Sequence, residues 1–508
     1  MLFNSFHFIV FFIIVTIGYY ILPQRWRWIL LLISSYYFYM CWNPIFILLI
    51  VFSTFINYIF SLAIAKEKDF KKRKKYLLVT IAINFGLLFL FKYAVFFNES
   101  ILSALGSILQ WWYRDLGVEG AMQKAQQILQ SYPAKDFDIM LPMGISFYTF
   151  QAASYTIDVY RADVKPVRNY GMFSLFITFF PQLVAGPIER SSQLLPQFYK
   201  KHYFEKERVL LGLKWMLWGF FKKMVIADRV AVAVDTIYAS PQSYSGLYLF
   251  LAMILFTFQI YCDFSGYSDI ALGSAKVLGF DLMMNFNKPY LSKSIKEFWR
   301  RWHVSLSTWF MDYVYIPLGG NRKGKARQCW NLFITFLVSG LWHGANWTYA
   351  VWGGLHGVYL VVGRWTENVR KKIRTIFHLE KNIFWSGWNI LCTFLLFSVS
   401  LVIFRANTVS DAVYVLRHMT DDFLQWREKQ YVYEVITSMG VNLFEFLVIC
   451  ISIGFLVLAE IATGKESVVG FIEKRHYIVR LVFYVFVSVW VLATGVFYAG
   501  GEFIYFQF

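Results

Sequence analysis

Charge is scarce in this sequence: Asp, Glu, Lys and Arg make up 16% of its 508 residues, while 58% are hydrophobic and 21% aromatic. Average globular chains carry about 25% charged and about 45–50% apolar residues. With a mean hydropathy of +0.48, the chain holds more apolar surface than a soluble core can bury, so its solvent is the bilayer. Cysteine is also sparse. Cys41, Cys262, Cys329, Cys392 and Cys450 stand mostly inside apolar runs with no paired metal-ligand spacing, and they read as core residues. Absent too are H-E-x-x-H, a P-loop, a G-x-G-x-x-G after a strand and a G-x-S-x-G elbow. A chemistry that needs neither a resident metal nor an ATP site is favoured. The first apolar run, Phe6 to Leu22, has no basic segment before it and no small-residue cleavage site after it, so it is expected to be a retained span.

Acidic residues are the scarcer sign, 31 against 49 Lys plus Arg, for a net charge of +18. In a soluble protein this would suggest nucleic acid. In a multi-pass chain the excess belongs to cytoplasmic loops and anionic headgroups, and no nucleic-acid partner is expected. Basic clusters fall at Arg25/Arg27, Lys66 to Lys75, Arg161 to Arg168, Lys200 to Arg208, Lys222/Lys223, Arg322 to Arg327, Arg364 to Arg374 and Lys474 to Arg480. The positive-inside rule makes all of them cytoplasmic. The connections from Asn98 to Met140 and from Asn407 to Ile436 are then extracytoplasmic, as are both termini.

The expected fold is an all-α multi-pass membrane protein of about 11 or more spans around re-entrant or tilted helices and a central polar tunnel. Spans are placed near 5–22, 27–41, 44–65, 76–97, 209–226, 246–262, 330–343, 347–363, 384–404, 441–462 and 481–499. Three apolar stretches broken by Pro, Gly and charge, 141–160, 169–199 and 264–320, are expected to be buried in protein, where irregular backbone is tolerated at membrane depth. The chain divides into N-terminal spans (1–140, with an extracytoplasmic insert near 107–135), a core (141–363) and C-terminal spans (364–508). It shows no internal repeat.

Ionisable groups at membrane depth are costly, which marks them as candidates for function. They gather in three runs. Gln259 to Asp269 includes Asp263 and Ser265. Ser294 to Ser307, continuing to Tyr315, includes Arg300, Arg301, Trp302, His303 and Asp312. Ser339 to Trp347, continuing to Gly357, includes Trp342, His343 and His356. Structural readings stand beside these. Asp263 and Asp269, six apart near a helix end, could be caps or ion-pair partners. Arg300 and Arg301 could form a surface patch with Glu297, and the tryptophans an aromatic belt. His343 has the strongest functional case. It sits inside a hairpin of two apolar helices beside small Gly344 and Ala345, and a near-neutral imidazole next to a gap is what a general base requires. No pair among His303, His343 and His356 has a spacing that shares a helix face, so no metal is expected.

These motifs, with Met143 to Phe150, Phe180 to Glu189, Asn285 to Ser292 (including Tyr290), Glu297 to His303, Tyr315 to Arg322 (including Asn321) and Leu341 to Ala345, resemble the membrane-bound O-acyltransferase family, within it the bacterial alginate O-acetyltransferase branch. The likeness spans nearly the whole chain. It departs at Met311, where an Arg is expected in relatives. The resemblance implies that His343 is the essential histidine and His303 its second motif position, with Asn321, Asp312, Trp302, Trp342, Arg300, Arg301, Asp263, Ser265, Tyr290 and His356 supporting or binding the donor. It further implies an acetyl group moved from cytoplasmic acetyl-CoA to a hydroxyl beyond the outer face of a bacterial plasma membrane, with no tightly bound cofactor. The acceptor would be an envelope or secreted polysaccharide such as an alginate-like exopolysaccharide, reached through an extracytoplasmic acetyltransferase partner in an export or biosynthesis complex. The basic loops Arg322 to Arg327 and Lys200 to Arg208 suit the phosphates of such a donor. Rival readings are a transferase fed by a carrier-protein thioester, such as a D-alanyl transferase, a transporter or flippase, and an inactive scaffold.

Overall fold

An apolar run of about 20 residues satisfies its backbone at membrane depth only by coiling, because lipid offers no hydrogen-bond partner. The chain does this throughout. The computed structural model describes residues 1–115, 142–184, 186–378, 382–497 and 503, and all regular structure among them is helical. Six helices among the described residues are long and apolar enough to cross a bilayer: Pro44–Lys66, Phe70–Trp112, Leu247–Leu278, Ile383–Arg405, Leu443–Ala462 and Tyr477–Thr494. Shorter or more polar helices lie beside them, and each of the eleven expected spans falls on a helix. The protein is a multi-pass membrane protein.

Burial separates lipid-facing helices from central ones. Protein covers 11% of the apolar window of Tyr477–Thr494 but 72% of that of Leu247–Leu278, so the second is the central pillar. At about 1.5 Å per residue its 32 residues exceed the thickness of a bilayer core. The expected helix end near Asp263 is corrected here, since the helix continues to Leu278 and stops only at Gly279, whose φ is 100°. Asp263 and Asp269 therefore sit mid-helix and cap nothing.

Their partners come from the neighbouring helix Lys206–Phe220, which continues through a π-helical turn, Phe221–Ala227. The two helices touch backbone to backbone. A Cβ on Gly266 would lie 2.8 Å from the carbonyl oxygen of Gly219, so only glycine permits this approach. The π turn then points two consecutive lysines inward. Lys222 pairs with Asp269, while Lys223 pairs with Asp263 and, at 2.8 Å, with Asp228. All five side chains are buried. Lys222/Lys223 is thus no cytoplasmic cluster, because a cation paired inside the protein carries no topological information.

Of the stretches expected to be broken, 141–160 instead contains a regular, almost wholly buried helix, Ile145–Arg161. The other two are broken as expected, into Tyr170–Thr178, Phe180–Leu183 and Ser191–Tyr199, and into short pieces between Gly279 and Lys323. Residues 107–115 of the expected insert extend the helix Ala94–Asp115, and the rest of it lies outside the described residues. Hydrogen bonds tie several basic clusters to their neighbours: Arg27 donates to the carbonyl of His202, Tyr58 to that of Arg168, Arg73 to that of Tyr160 and Arg161 to that of Asp312. The segments at Ser100 and Asn407 both meet residues 346–347, through Trp347 to Ser100 and Asn346 to the Asn407 carbonyl.

Candidate active site

Two helices meeting as a hairpin carry His343. Helix Gly324–His343 packs on Trp347–Trp365 at a glycine contact, where a Cβ on Gly340 would fall 2.2 Å from the carbonyl oxygen of Tyr349. His343 is the last residue of its helix and is buried. Its ring stands edge-on to Trp342, Trp352 and Phe404, with centroids at 5.0, 5.1 and 5.4 Å. The gap expected beside Gly344 is not open. A Cβ there would meet the ring of Tyr349 at 2.1 Å, so the small residue admits an aromatic neighbour and leaves no room for substrate on that side.

His303 reaches the same place from the irregular segment. It is buried and caps the short helix Val304–Phe310 with a left-handed backbone, φ 43°. A non-glycine residue held there costs on the order of 1–3 kcal/mol and persists only where the surroundings impose it. They do so on several sides. The backbone N–H groups of Val304 and Ser305 donate to the carbonyl and side-chain oxygens of Asn285, and the hydroxyl of Ser305 accepts from the N–H of Ile188. Phe264 and Phe147 flank the imidazole, with centroids at 4.6 and 6.2 Å.

One hydrogen bond decides the chemistry of His303. Its Nδ1 accepts from the backbone N–H of Leu306 at 3.2 Å. A backbone amide only donates, so Nδ1 holds the lone pair and the neutral ring carries its proton on Nε2. That Nε2 is buried and has no hydrogen-bond partner among the described residues. Trp342 stands between the two histidines, edge-on to both, with its centroid 6.2 Å from that of His303. The site thus sets an N–H donor and a second imidazole against the same tryptophan, in a buried and largely aromatic surround.

This stretch lies within residues 167–404, which match the family model described as MBOAT, membrane-bound O-acyltransferase family. A relative, the probable alginate O-acetylase AlgI of Pseudomonas aeruginosa, is 40% identical over 418 residues, covering 81% of this chain and 73% of that protein. The chain belongs to the membrane-bound O-acyltransferase family. The chain is also similar to the peptidoglycan O-acetyltransferase of Helicobacter pylori, 33% identical over 82% of this chain and 80% of that protein. The teichoic acid D-alanyltransferase of Streptococcus thermophilus is 31% identical over 52% of this chain and 68% of that protein. As a member of this family, the protein is an O-acyltransferase.

Not all the residues expected at an O-acyltransferase site gather around His343. Trp302 and Tyr290 form an aromatic wall with Phe298 and Phe397, and the Tyr290 hydroxyl donates to the carbonyl of Thr257. His356 adjoins that wall with both ring nitrogens engaged, Nδ1 by Trp299 at 3.3 Å and Nε2 by Ser400 at 3.0 Å. Asp263 belongs to the buried ion pairs and immediately precedes Phe264; Ser265 is fully buried. Arg300 and Asn321 are exposed, Arg301 pairs with Glu297 at 2.6 Å, and Asp312 pairs with Arg190 at 2.7 Å. Sequence reasoning missed Phe147 and Phe264 beside His303 and Trp352 and Phe404 beside His343, since an aromatic residue facing a histidine looks like any other in a chain with 21% aromatics. Among the described residues no group of three or more His, Cys, Asp or Glu side chains is placed to share a metal ion.

Proposed function

We propose that this O-acyltransferase moves an acetyl group from cytoplasmic acetyl-CoA to a hydroxyl on the far side of a bacterial inner membrane, with His343 as general base and His303 as the donor that holds the thioester carbonyl. The observation that carries this reading is the Leu306 N–H to His303 Nδ1 hydrogen bond, which leaves Nε2–H as a donor on a ring that shares its Trp342 neighbour with His343. His343 takes the proton of the attacking hydroxyl as its oxygen bonds to the thioester carbon. The carbonyl oxygen becomes an oxyanion facing His303 Nε2–H. Collapse breaks the C–S bond, and the thiolate leaves with the proton that His343 took, so no proton is gained or lost overall.

Arg322 to Arg327 and Lys200 to Arg208 are cytoplasmic by the positive-inside rule, and their charge suits the phosphates of coenzyme A. Asn321, exposed beside Arg322, would meet the donor before it reaches His303. The acceptor is a cell-envelope or secreted polysaccharide reached through an extracytoplasmic acetyltransferase partner, a reading supported by the alginate and peptidoglycan activities named for relatives. A second reading has support in the D-alanyltransferase relatives: a thioester donor on a carrier protein.

Purified protein in nanodiscs, given acetyl-CoA, should release coenzyme A, and His343→Ala should abolish release. Unchanged release by His343→Ala would overturn the base assignment. Absence of both release and acetyl-CoA binding in the wild type would shift the donor to a carrier protein.

A further inference from the structure

We propose that Lys92, with Tyr93, is a positioning residue for this reaction, a cationic clamp that closes the helix end on which His343 stands. The inference rests on His343 being the base.

A helix leaves its last four carbonyls without partners. Helix Gly324–His343 has no backbone cap to supply them, because the chain leaves it fully extended at Gly344, φ −164° and ψ 161°. The partners come instead from a distant segment. The Tyr93 hydroxyl donates to the carbonyl of Leu341 at 2.7 Å, and the Lys92 ammonium donates to those of Trp342 at 2.9 Å and His343 at 2.7 Å. Three consecutive terminal carbonyls, including that of His343 itself, are thereby held by two consecutive residues.

Such reach from neighbouring residues has a structural cause. Lys92 and Tyr93 end a π-helical turn, Phe89–Tyr93, set between Phe70–Leu88 and Ala94–Asp115. The wider turn changes the angle between successive side chains and brings both to one side; π turns recur at functional sites for this reason. Both Lys92 partners are carbonyls, not carboxylates. The ammonium therefore answers the partial negative charge at the helix C-terminus, an interaction strengthened where water is scarce. With the Gly340 contact on one side and Lys92 on the other, the His343 backbone is fixed, and Trp342, Trp352 and Phe404 fix its ring.

Lys92→Met removes the charge and two hydrogen bonds at nearly constant length. It should lower kcat roughly 10- to 100-fold, the scale of a displacement of about 1 Å in a catalytic group, with KM for acetyl-CoA changed less than about twofold. Lys92→Arg should recover most of kcat, and Tyr93→Phe, a shape-conserving change that keeps the protein folded, should lose several-fold. The assay is coenzyme A release in nanodiscs, alongside alkali-labile acyl esters on envelope and secreted carbohydrate from cells with matched protein levels, which reads the clamp whatever the donor. Wild-type kcat in Lys92→Met, or ester content unchanged in both Lys92→Met and Tyr93→Phe, would overturn the proposal. So would a loss in Lys92→Met that only tracks lost folded protein and that arginine does not rescue. His343→Ala separates the two ideas. If it stays active the base assignment fails, whereas an inactive His343→Ala with a fully active Lys92→Met defeats the clamp alone.

Discussion

Replacing Lys223 by Met tests whether the central pillar is held by buried charge. Lys223 is the shared cation of Asp263 and Asp228, and the three side chains are 6%, 4% and 4% exposed. Without it two carboxylates stay in a dry site, and Asn4, at 3.4 Å from Asp228, is the only other hydrogen-bond partner shown for Asp228 among the described residues. Removing one partner of a buried pair costs about 3–5 kcal/mol, because the remaining charge is left uncompensated. At about 2.1 cal/mol/K per residue, unfolding of a chain this long has an entropy near 1 kcal/mol/K, so Tm should fall by about 3–5 °C. Fluorescence-detected size-exclusion after stepwise heating measures the shift in detergent. The combined Lys223→Met/Asp263→Leu/Asp228→Leu protein, with no charge left to compensate, should recover part of the loss. A Lys223→Met protein that melts within about 1 °C of wild type would refute the reasoning, since buried carboxylates without their cation cannot be that cheap.

His356→Gln should lower Tm yet keep kcat within about threefold of wild type, because both of its ring nitrogens already serve Trp299 and Ser400; a kcat loss as large as that of His343→Ala would place His356 in the chemistry. Gly344→Ala should reduce both stability and turnover, since its Cβ would enter the Tyr349 ring, and the double variant with Tyr349→Leu should restore part of each, as read by the same melts and assay. Exchanging Arg322, Lys323, Lys325 and Arg327 for Gln should raise KM for acetyl-CoA on the order of 10-fold and flatten its salt dependence, leaving kcat nearly unchanged. Asp312→Asn should shift stability by less than about 1 kcal/mol, because its ion pair with Arg190 is open to water on the Asp312 side, 41% exposed.

The two histidines differ in their backbone settings. His303 is held by a strained cap whose own hydrogen bond fixes the ring as a donor. His343 stands at a helix end whose carbonyls are bonded by another helix. Neither arrangement involves a metal ligand set among the described residues.

Composition and hydropathy determined on their own that the chain crosses a membrane repeatedly, because apolar runs of bilayer length admit one solution for their backbone. The family was legible in the dense motifs from Gln259 to Trp347, and His343 stood out as an ionisable group where charge is costly, while His303 gained its place through the family resemblance. Pairing was not legible. Lys222 and Lys223 looked like a loop cluster because a one-dimensional reading cannot distinguish a cation facing headgroups from one facing Asp269 and Asp263 across a glycine contact. The end of the pillar was misplaced for the same reason: Asp263 and Asp269 read equally as caps or as ion-pair partners, and only their contacts with Lys223 and Lys222 decide for the second. Lys92 lies some 250 residues from the carbonyls it binds, a relation that no local pattern encodes. Only the tertiary structure decided which polar groups satisfy one another, and in a buried interior those pairings set both the stability of the helices and the placing of His343.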